Sequence, residues 1–186
     1  DDVVFGTAER IAAGLEIGPR VFSTGFVLYG AKARARTRVD SLEDAYFHVR
    51  RMAVQGALSV KNYQQPGRDQ RQWLVLAARE EGLNIFPEGG GDLFMNLGML
   101  IDGHTGIEHA LPVAPLYADV IGLYAATGAG YSPTLLVAYG GLSGERYYYG
   151  AESLLDAEKF LHFTPKEVVD RVARRTPSVV RDGDWH

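Results

Sequence analysis

The sequence predicts an α/β fold in which parallel strands are flanked by helices. Short apolar strands alternate with amphipathic helices, which is the order of repeated βα units. Four strand starts fall near residues 58, 84, 106 and 133, a step of roughly 25 residues. Several strands are almost wholly apolar, as expected where both faces of a sheet are covered. With a further strand near residue 21, five strands are predicted, in an open doubly wound sheet or in part of a barrel.

Length and composition exclude several classes of protein. A closed eight-stranded barrel needs at least about 200 residues, and this chain has 186. Its 46% hydrophobic and 23% charged residues are typical of a globular domain. The net charge of −4 argues against sequence-independent electrostatic binding of nucleic acid. No apolar run is long enough to span a membrane. The absence of cysteine excludes disulfides and thiolate metal sites.

The first elements follow from start and stop signals. Ser41 is placed to cap a helix, and the acidic Glu43 and Asp44 in its first turn suit the positive end of the helix dipole. Gly56 then stops that helix. The predicted elements are a helix over 6–15, a strand over 19–28, a helix from Ser41 to about Gln55, and a strand over 57–61.

The second half continues the alternation. In the helix over 68–81 we expect Trp73, Leu74, Leu76 and Ala77 to form the apolar stripe. Thr164 and Glu167 have the spacing of a capping box. The remaining predicted elements are strands over 83–87, 105–109 and 132–138, and helices over 92–102, 114–126 and 165–175.

Three consecutive strands end in residues that can carry chemistry: Lys61, Glu88 and the pair Glu108–His109. The carboxyl ends of parallel strands share one edge, where active residues of such folds lie. One interpretation is a polar rim, with Lys61 and Glu88 paired across adjacent strands and His109 capping a helix. The other is a metal site, because imidazole and carboxylate are common zinc ligands and a carboxylated lysine can bridge two metals.

Further side chains lie near the same predicted edge. Tyr63 and Tyr139 follow strands, and His104 precedes the strand of His109; we expect these three to bind substrate. A loop-capping role for His104 is the alternative. The run Gly89–Gly91 lacks the spacing of a phosphate-binding loop, which favours a glycine-rich bend over the mouth of the sheet.

Three segments carry a family resemblance: VKNYQQPGRDQRQWLVLAAREEGLNIFPEGG, DGHTGIEHALPV and YSPTLLVAYGG. They resemble the amidohydrolase superfamily, most closely the imidazolonepropionase-like branch whose catalytic domain often follows a Tol-B-type β-propeller. The resemblance covers nearly the whole chain. It implies one domain over 1–186, about strands three to seven of a (β/α)8 TIM-type barrel.

The resemblance also implies a metal centre. Members of this superfamily bind one or two metals, usually zinc, and hydrolyse C–N bonds by attack of a metal-bound hydroxide. By position, Lys61 matches the fourth-strand ligand, a bridging carbamate in this interpretation, and His109 matches the sixth-strand histidine. Glu88 occupies the fifth-strand place, where many relatives have histidine, and is expected to act as a ligand or as an acid–base group. The implied substrate is a small molecule with an amide-type bond.

Two family features are absent from the sequence. No two of the five histidines are spaced as HxH, and the chain ends before the strand that would supply a metal-binding Asp. The resemblance therefore implies a fragment that is inactive alone and associates with the rest of a barrel or with copies of itself. Propeller-linked relatives suggest export to the periplasm, and a cytoplasmic location is not excluded. The alternative function is a non-catalytic α/β module that self-associates through open sheet edges.

Overall fold

A computed structural model describes residues 2–30, 37–63, 65–134 and 154–173 of the chain. The chain divides into two compact units, residues 1–132 and 133–186. The prediction of one domain over 1–186 stays a prediction. In chain order, the first unit contains α1 (Asp2–Ala12), β1 (Leu28–Tyr29), α2 (Leu42–Val54), β2 (Ser59–Tyr63), α3 (Arg68–Glu80), β3 (Asn84–Pro87), α4 (Leu93–Asp102), β4 (Gly106–Glu108), α5 (Ala118–Thr127) and β5 (Gly130–Ser132).

All the strand pairings described are parallel, as predicted. One sheet has the order β1-β2-β3 and the other pairs β4 with β5. A single parallel bridge between Glu88 and Glu108 connects the end of β3 to the end of β4. Sequential parallel strands joined by helices are the arrangement that the strand spacing predicted, and they are consistent with part of a TIM-type barrel.

Helix ends follow the predicted local chemistry. The Ser41 hydroxyl accepts a hydrogen bond from the Asp44 amide at 3.1 Å, so it caps α2 as expected. Asp92 caps α4 in the same way, through the Met95 amide at 3.0 Å. At the other end of α4, Gly103 has φ 103°, a left-handed conformation that glycine adopts readily.

The strand predicted over 19–28 is wrong for most of its length, because only Leu28 and Tyr29 pair with β2. Gly25 has φ 67°, which interrupts an extended backbone. The apolar side chains that suggested a buried strand, Phe22 and Phe26, are exposed. Despite its Val- and Phe-rich composition, most of this segment is therefore a loop that leads into β1 and not a strand of the sheet.

Two later elements are shifted from their predicted bounds. α5 begins at Ala118 and not at 114, because the backbone is still extended at Tyr117. β5 covers Gly130–Ser132, so it begins before the predicted strand over 132–138. Of that prediction, residues 135–138 lie outside the described residues.

The second unit is described over 154–173. A 3-10 turn at Leu154–Asp156 precedes α6 (Glu158–Phe163) and α7 (Lys166–Ala173). The capping-box pattern thus predicted α7 within a few residues, whereas α6 was not predicted. Among the helices of the described residues, none has the length and apolar character needed to cross a membrane.

The main hydrophobic core fills the space between the three-stranded sheet and helices α2 and α3. On α3, Leu74, Ala77 and Ala78 are buried at the three- and four-residue spacing of one helix face. Trp73 packs against the core as expected, but Leu76 is 45% exposed and its assignment to the apolar stripe was wrong. Its position is two residues from Leu74, which turns it to the opposite side of the helix. A smaller cluster forms around Met99, Leu100 and Ile107.

A buried polar pair lies beneath the strand ends. His104 is 2% exposed, and its Nδ1 lies 2.9 Å from the Met99 carbonyl oxygen. Its Nε2 lies 3.0 Å from Nδ2 of Asn62, which is also buried. Burial lowers the pKa of His104 to about 4, so the ring is neutral at pH 7. Since a carbonyl can only accept, Nδ1 carries the proton and Nε2 accepts from Asn62.

We expect Leu74→Ala to lower the free energy of unfolding by about 2–5 kcal/mol, because it leaves a cavity in the main core. Leu76→Ala, on the exposed side of the same helix, serves as the matched control and should cost about 1 kcal/mol or less. Urea unfolding monitored by circular dichroism measures both values. Equal losses for the two variants would contradict the described packing of α3.

The low pKa of His104 predicts a dependence of stability on pH. Its folded-state pKa of about 4 lies below the ordinary value of 6.5. Between these values the unfolded chain binds a proton that the folded chain excludes. The stabilisation is thus complete above pH 6.5 and is lost as the pH falls toward 4, by about 3 kcal/mol in total.

Urea unfolding at several pH values between 4 and 7 tests this dependence. His104→Gln should remove this part of the pH slope, whereas His162→Gln, at an exposed position on α6, should leave it unchanged. If wild type and His104→Gln had the same slope, another group would be responsible.

Candidate functional site

The carboxyl ends of β2, β3 and β4 bring together four side chains, here called the charged cluster: Lys61, Glu88, Glu108 and His109. Lys61 is opposite Phe86 in the β2–β3 register, two residues before Glu88. Glu88 in turn is bridged to Glu108, the last residue of β4. The parallel register therefore places all four residues at one edge, as the strand-end argument predicted.

Lys61 is the centre of the charged cluster. Its Nζ donates to Glu88 Oε2 at 2.5 Å and also pairs with Glu108 Oε2. The side chains of Lys61 and Glu88 are only 14% and 16% exposed, so this ion pair is largely shielded from water. Removing one partner of such a pair leaves the other charge poorly solvated. The lysine–glutamate pair of the polar-rim interpretation is thus present.

His109 completes the charged cluster through an unusual backbone conformation. Its φ is 73°, in the left-handed region that residues other than glycine seldom adopt. Its amide donates to the Ser132 carbonyl at 3.0 Å, and its Nε2 contacts Glu88 Oε1. Such strained residues occur more often at functional sites than elsewhere. Glu88 therefore has Lys61 on one carboxylate oxygen and His109 on the other.

The first glycine of the run Gly89–Gly91 allows β3 and β4 to approach each other. The Gly89 amide donates to the Glu108 carbonyl at 3.0 Å, and a Cβ at this position would collide with that oxygen. The Gly90 amide is also bonded, to the side-chain oxygen of Asn96. Because these two N–H groups are already bonded within the protein, the geometry favours a close-packed bend over a phosphate-binding loop.

Tyr63 lies beside the charged cluster. Lys61 Nζ is 5.7 Å from the centre of its ring, and the ring stacks on that of Tyr29 with centroids 4.8 Å apart. The negative charge of Glu88 raises the pKa of the Tyr63 phenol. Tyr63 is thus placed where a molecule bound at the charged cluster would meet it. Sequence reasoning did not include Tyr29, because the strand around it was predicted with the wrong bounds.

The other predicted site residues have different positions. His104 is enclosed in the protein and is connected to β2 through Asn62, so any effect on a bound substrate would pass through Asn62. Tyr139 lies outside the described residues. Glu108 was recognised at a strand end but not included in the predicted site. The β3–β4 bridge, which determines that it faces Glu88, was not predictable from spacing.

The chemistry of the charged cluster suits a divalent metal only in part. Two carboxylates and an imidazole are ligand types that zinc accepts. However, within the described ranges no three His, Cys, Asp or Glu residues are arranged so that they could hold a metal ion. The Lys61 ammonium instead pairs with both carboxylates. The donor types therefore fit a metal, but the set that this chain presents is incomplete.

The charged cluster can hold and exchange a proton. One ammonium and two carboxylates leave one formal negative charge when His109 is neutral. A proton on His109 would offset that charge, and Glu88 is in direct contact to receive it. A carboxylate and an imidazole in contact are the groups most often used for general acid–base catalysis.

No family model and no curated protein sequence matches the chain. Among solved structures the chain is similar to bottromycin amidohydrolase, with a TM-score of 0.55 and 18% identity. The similarity covers 90% of this chain and 44% of that protein, so the chain spans less than half the length of its structural neighbour. At this identity the likeness concerns the fold. The predicted fold class is confirmed: the chain has an α/β fold of parallel strands and flanking helices, consistent with part of a TIM-like barrel.

Proposed function

We propose that this chain is the central part of a hydrolase that cleaves an amide or another C–N bond and depends on zinc or another divalent metal. The observation that carries the proposal is the charged cluster, which gathers the ends of three consecutive parallel strands. Catalytic residues of parallel α/β folds lie at this edge. The fold likeness to an amidohydrolase supports the same reaction class.

The roles of the residues follow from their contacts. Glu88, which contacts both Lys61 and His109, would take a proton from an attacking water and return it to the leaving nitrogen. His109 would share that proton or bind the metal through its imidazole. Tyr63 would border the substrate. When bound, a divalent metal supplies an acidified water and polarises the scissile carbonyl.

Lys61 would join the metal ligands only after a change of charge. As an ammonium it has no lone pair to offer a metal. Loss of the ammonium proton and addition of carbon dioxide to the neutral amine would give a carbamate, with a second proton released to solvent, and the carbamate oxygens would then be able to hold a metal. Lys61 and His109 would then hold the metal, with Glu88 as a third ligand or as the acid–base group and with Glu108 beside them.

We further propose that the remaining ligands come from other parts of a longer barrel and that the isolated chain is inactive. The shortage of ligands in the charged cluster and the 44% coverage of the structural neighbour support this proposal. The substrate class is a small molecule with an amide-type bond. We also propose that the enzyme belongs to the imidazolonepropionase-like branch of the amidohydrolase superfamily and that it is exported.

One observation favours the second candidate function, a non-catalytic module. The Lys61 ammonium already neutralises part of both carboxylates, as a purely structural polar rim would. In this function the chain would self-associate through a sheet edge other than that of β1, where the Tyr29 carbonyl already accepts from the Thr37 amide at 2.8 Å. Metal content and oligomeric state distinguish this function from the hydrolase.

If the chain contributes to a metal site, zinc titration by calorimetry should show stoichiometric binding in bicarbonate buffer. Lys61→Ala and His109→Ala should each weaken binding at least about tenfold, as losses of ligands do. The matched control is Lys159→Ala, at an exposed position on α6, which should bind zinc as wild type does. A stable oligomer that binds no zinc would support the module.

Sequencing the DNA on both sides of the reading frame tests whether the enzyme is larger. We expect an HxH pair after an upstream strand and an Asp after a downstream strand. In that extended protein, Glu88→Gln should lower kcat for amide hydrolysis by about 10²–10⁴-fold, because the acid–base group is lost. The control Glu80→Gln removes an exposed carboxylate that pairs with Arg50 and should have little effect. Stop codons directly flanking the frame would refute the hydrolase proposal for this chain.

A further inference from the structure

One face of α2 points away from the core and is here called the outer face: Glu43, Phe47, Arg51 and Val54. The core side of the helix carries Ala45, Val49 and Met52, which are buried, so the outer face lies on the opposite side. Phe47 and Val54 are two turns apart and are 63% and 89% exposed. Large apolar side chains aligned on one face form a surface that contact with another chain would shield from water.

Arg51 brings a positive charge to the outer face, and among the described residues no carboxylate pairs with it. Its guanidinium carbon lies 5.4 Å from the centre of the Phe26 ring and 5.9 Å from the centre of the Phe47 ring. The neighbouring Arg50 is different, since it pairs with two glutamates at the end of α3. Arg51 thus covers part of the apolar surface and leaves its charge to a partner from outside the described residues.

Glu43 supplies the opposite charge at the other end of the outer face. It is exposed in the first turn of α2, and like Arg51 it forms no ion pair with any described residue. Eight residues separate the two, which is about 12 Å along a helix axis. Side chains pair along a helix when they are three or four residues apart, so Glu43 and Arg51 of one chain do not pair with each other. Phe47 lies midway between them.

We propose that the outer face binds the outer face of a second copy of this chain, with the two α2 helices antiparallel about a two-fold axis at Phe47. This arrangement places Glu43 of each chain opposite Arg51 of the other, because both lie four residues from the axis. The two Phe47 rings meet at the axis, and Val54 of each chain covers the first turn of the other helix. Parallel helices would instead place like charges opposite each other.

The charge pattern of the outer face favours a second copy over other partners. A strongly acidic partner would be repelled by Glu43 and a strongly basic one by Arg51, whereas the same face reversed satisfies both charges. α2 has 13 residues and is about 20 Å long, so the contact is smaller than a standard interface and we expect a weak dimer. Such a dimer is compatible with either proposed function, because no residue of the outer face belongs to the charged cluster.

Analytical ultracentrifugation of the 186-residue chain over a range of concentrations tests the proposal. We expect a monomer–dimer equilibrium with a Kd of about 10–100 μM. Phe47→Ala should weaken dimerisation at least about tenfold, because it removes the aromatic contact at the axis. Phe94→Ala is the matched control, since this side chain on α4 is 85% exposed and lies outside the outer face. A chain that stays monomeric up to about 0.5 mM, or that associates equally well as Phe47→Ala, would overturn the proposal.

Two charge reversals test the antiparallel pairing itself. Glu43→Arg and Arg51→Glu should each weaken dimerisation at least about tenfold, because both opposite-charge contacts become like-charge contacts. An equimolar mixture of the two variants should dimerise about as well as wild type, since one variant then supplies both bases and the other both acids. Circular dichroism checks that each variant keeps its helices. Failure of the mixture to associate, or unchanged association of either variant alone, would refute the pairing of Glu43 with Arg51.

Discussion

The site depends on a row of backbone hydrogen bonds that crosses the carboxyl ends of the strands. Next to β2, the Gly30 amide donates to the Tyr63 carbonyl at 2.9 Å and the Glu88 amide donates to the Asn62 carbonyl at 3.2 Å. Further along the row, the Gly89 amide donates to the Glu108 carbonyl and the His109 amide donates to the Ser132 carbonyl, both at 3.0 Å. The Gly89–Glu108 bond lies at the single bridge between β3 and β4 among the described residues. It forms because Gly89 has no Cβ to obstruct it. Thr105 also bonds Ile85 where these two strands begin, so the Gly89–Glu108 bond acts at their carboxyl ends, where Glu88 lies beside Glu108 and His109.

Much of this arrangement was predictable, because βα spacing and strand ends are local features of a sequence. The residues Lys61, Glu88 and His109 meet for the reason expected, which is that parallel strands end at one edge. Glu108 could not be assigned in the same way. Neighbouring side chains on a regular strand face opposite sides, yet Glu108 and His109 both reach the charged cluster. The left-handed backbone at His109 makes this possible, and no residue pattern indicates it.

The alternation of side chains along β2 explains why the adjacent residues Lys61 and Asn62 lie in different surroundings. Lys61 faces the charged cluster, while Asn62 faces the interior and bonds His104. Burial keeps His104 neutral, and its bond to Met99 determines which end of the Asn62 amide faces it. The bond to His104 holds the Asn62 side chain in one orientation, next to Lys61 on β2. The buried pair therefore supports the charged cluster from behind, on the side of β2 opposite Lys61.

Electrostatics sets a condition on the metal interpretation of the charged cluster. With an ammonium on Lys61 and a neutral His109, the two carboxylates leave one formal negative charge, which the protein holds without any added ion. A carbamate on Lys61 would change that total to three negative charges in a space largely shielded from water, and such a state requires compensating cations. Carboxylation of Lys61 would therefore need cations bound at the same cluster. The ion-paired arrangement therefore matches the polar-rim interpretation as it stands, whereas the metal interpretation requires Lys61 to exchange its positive charge for a carbamate.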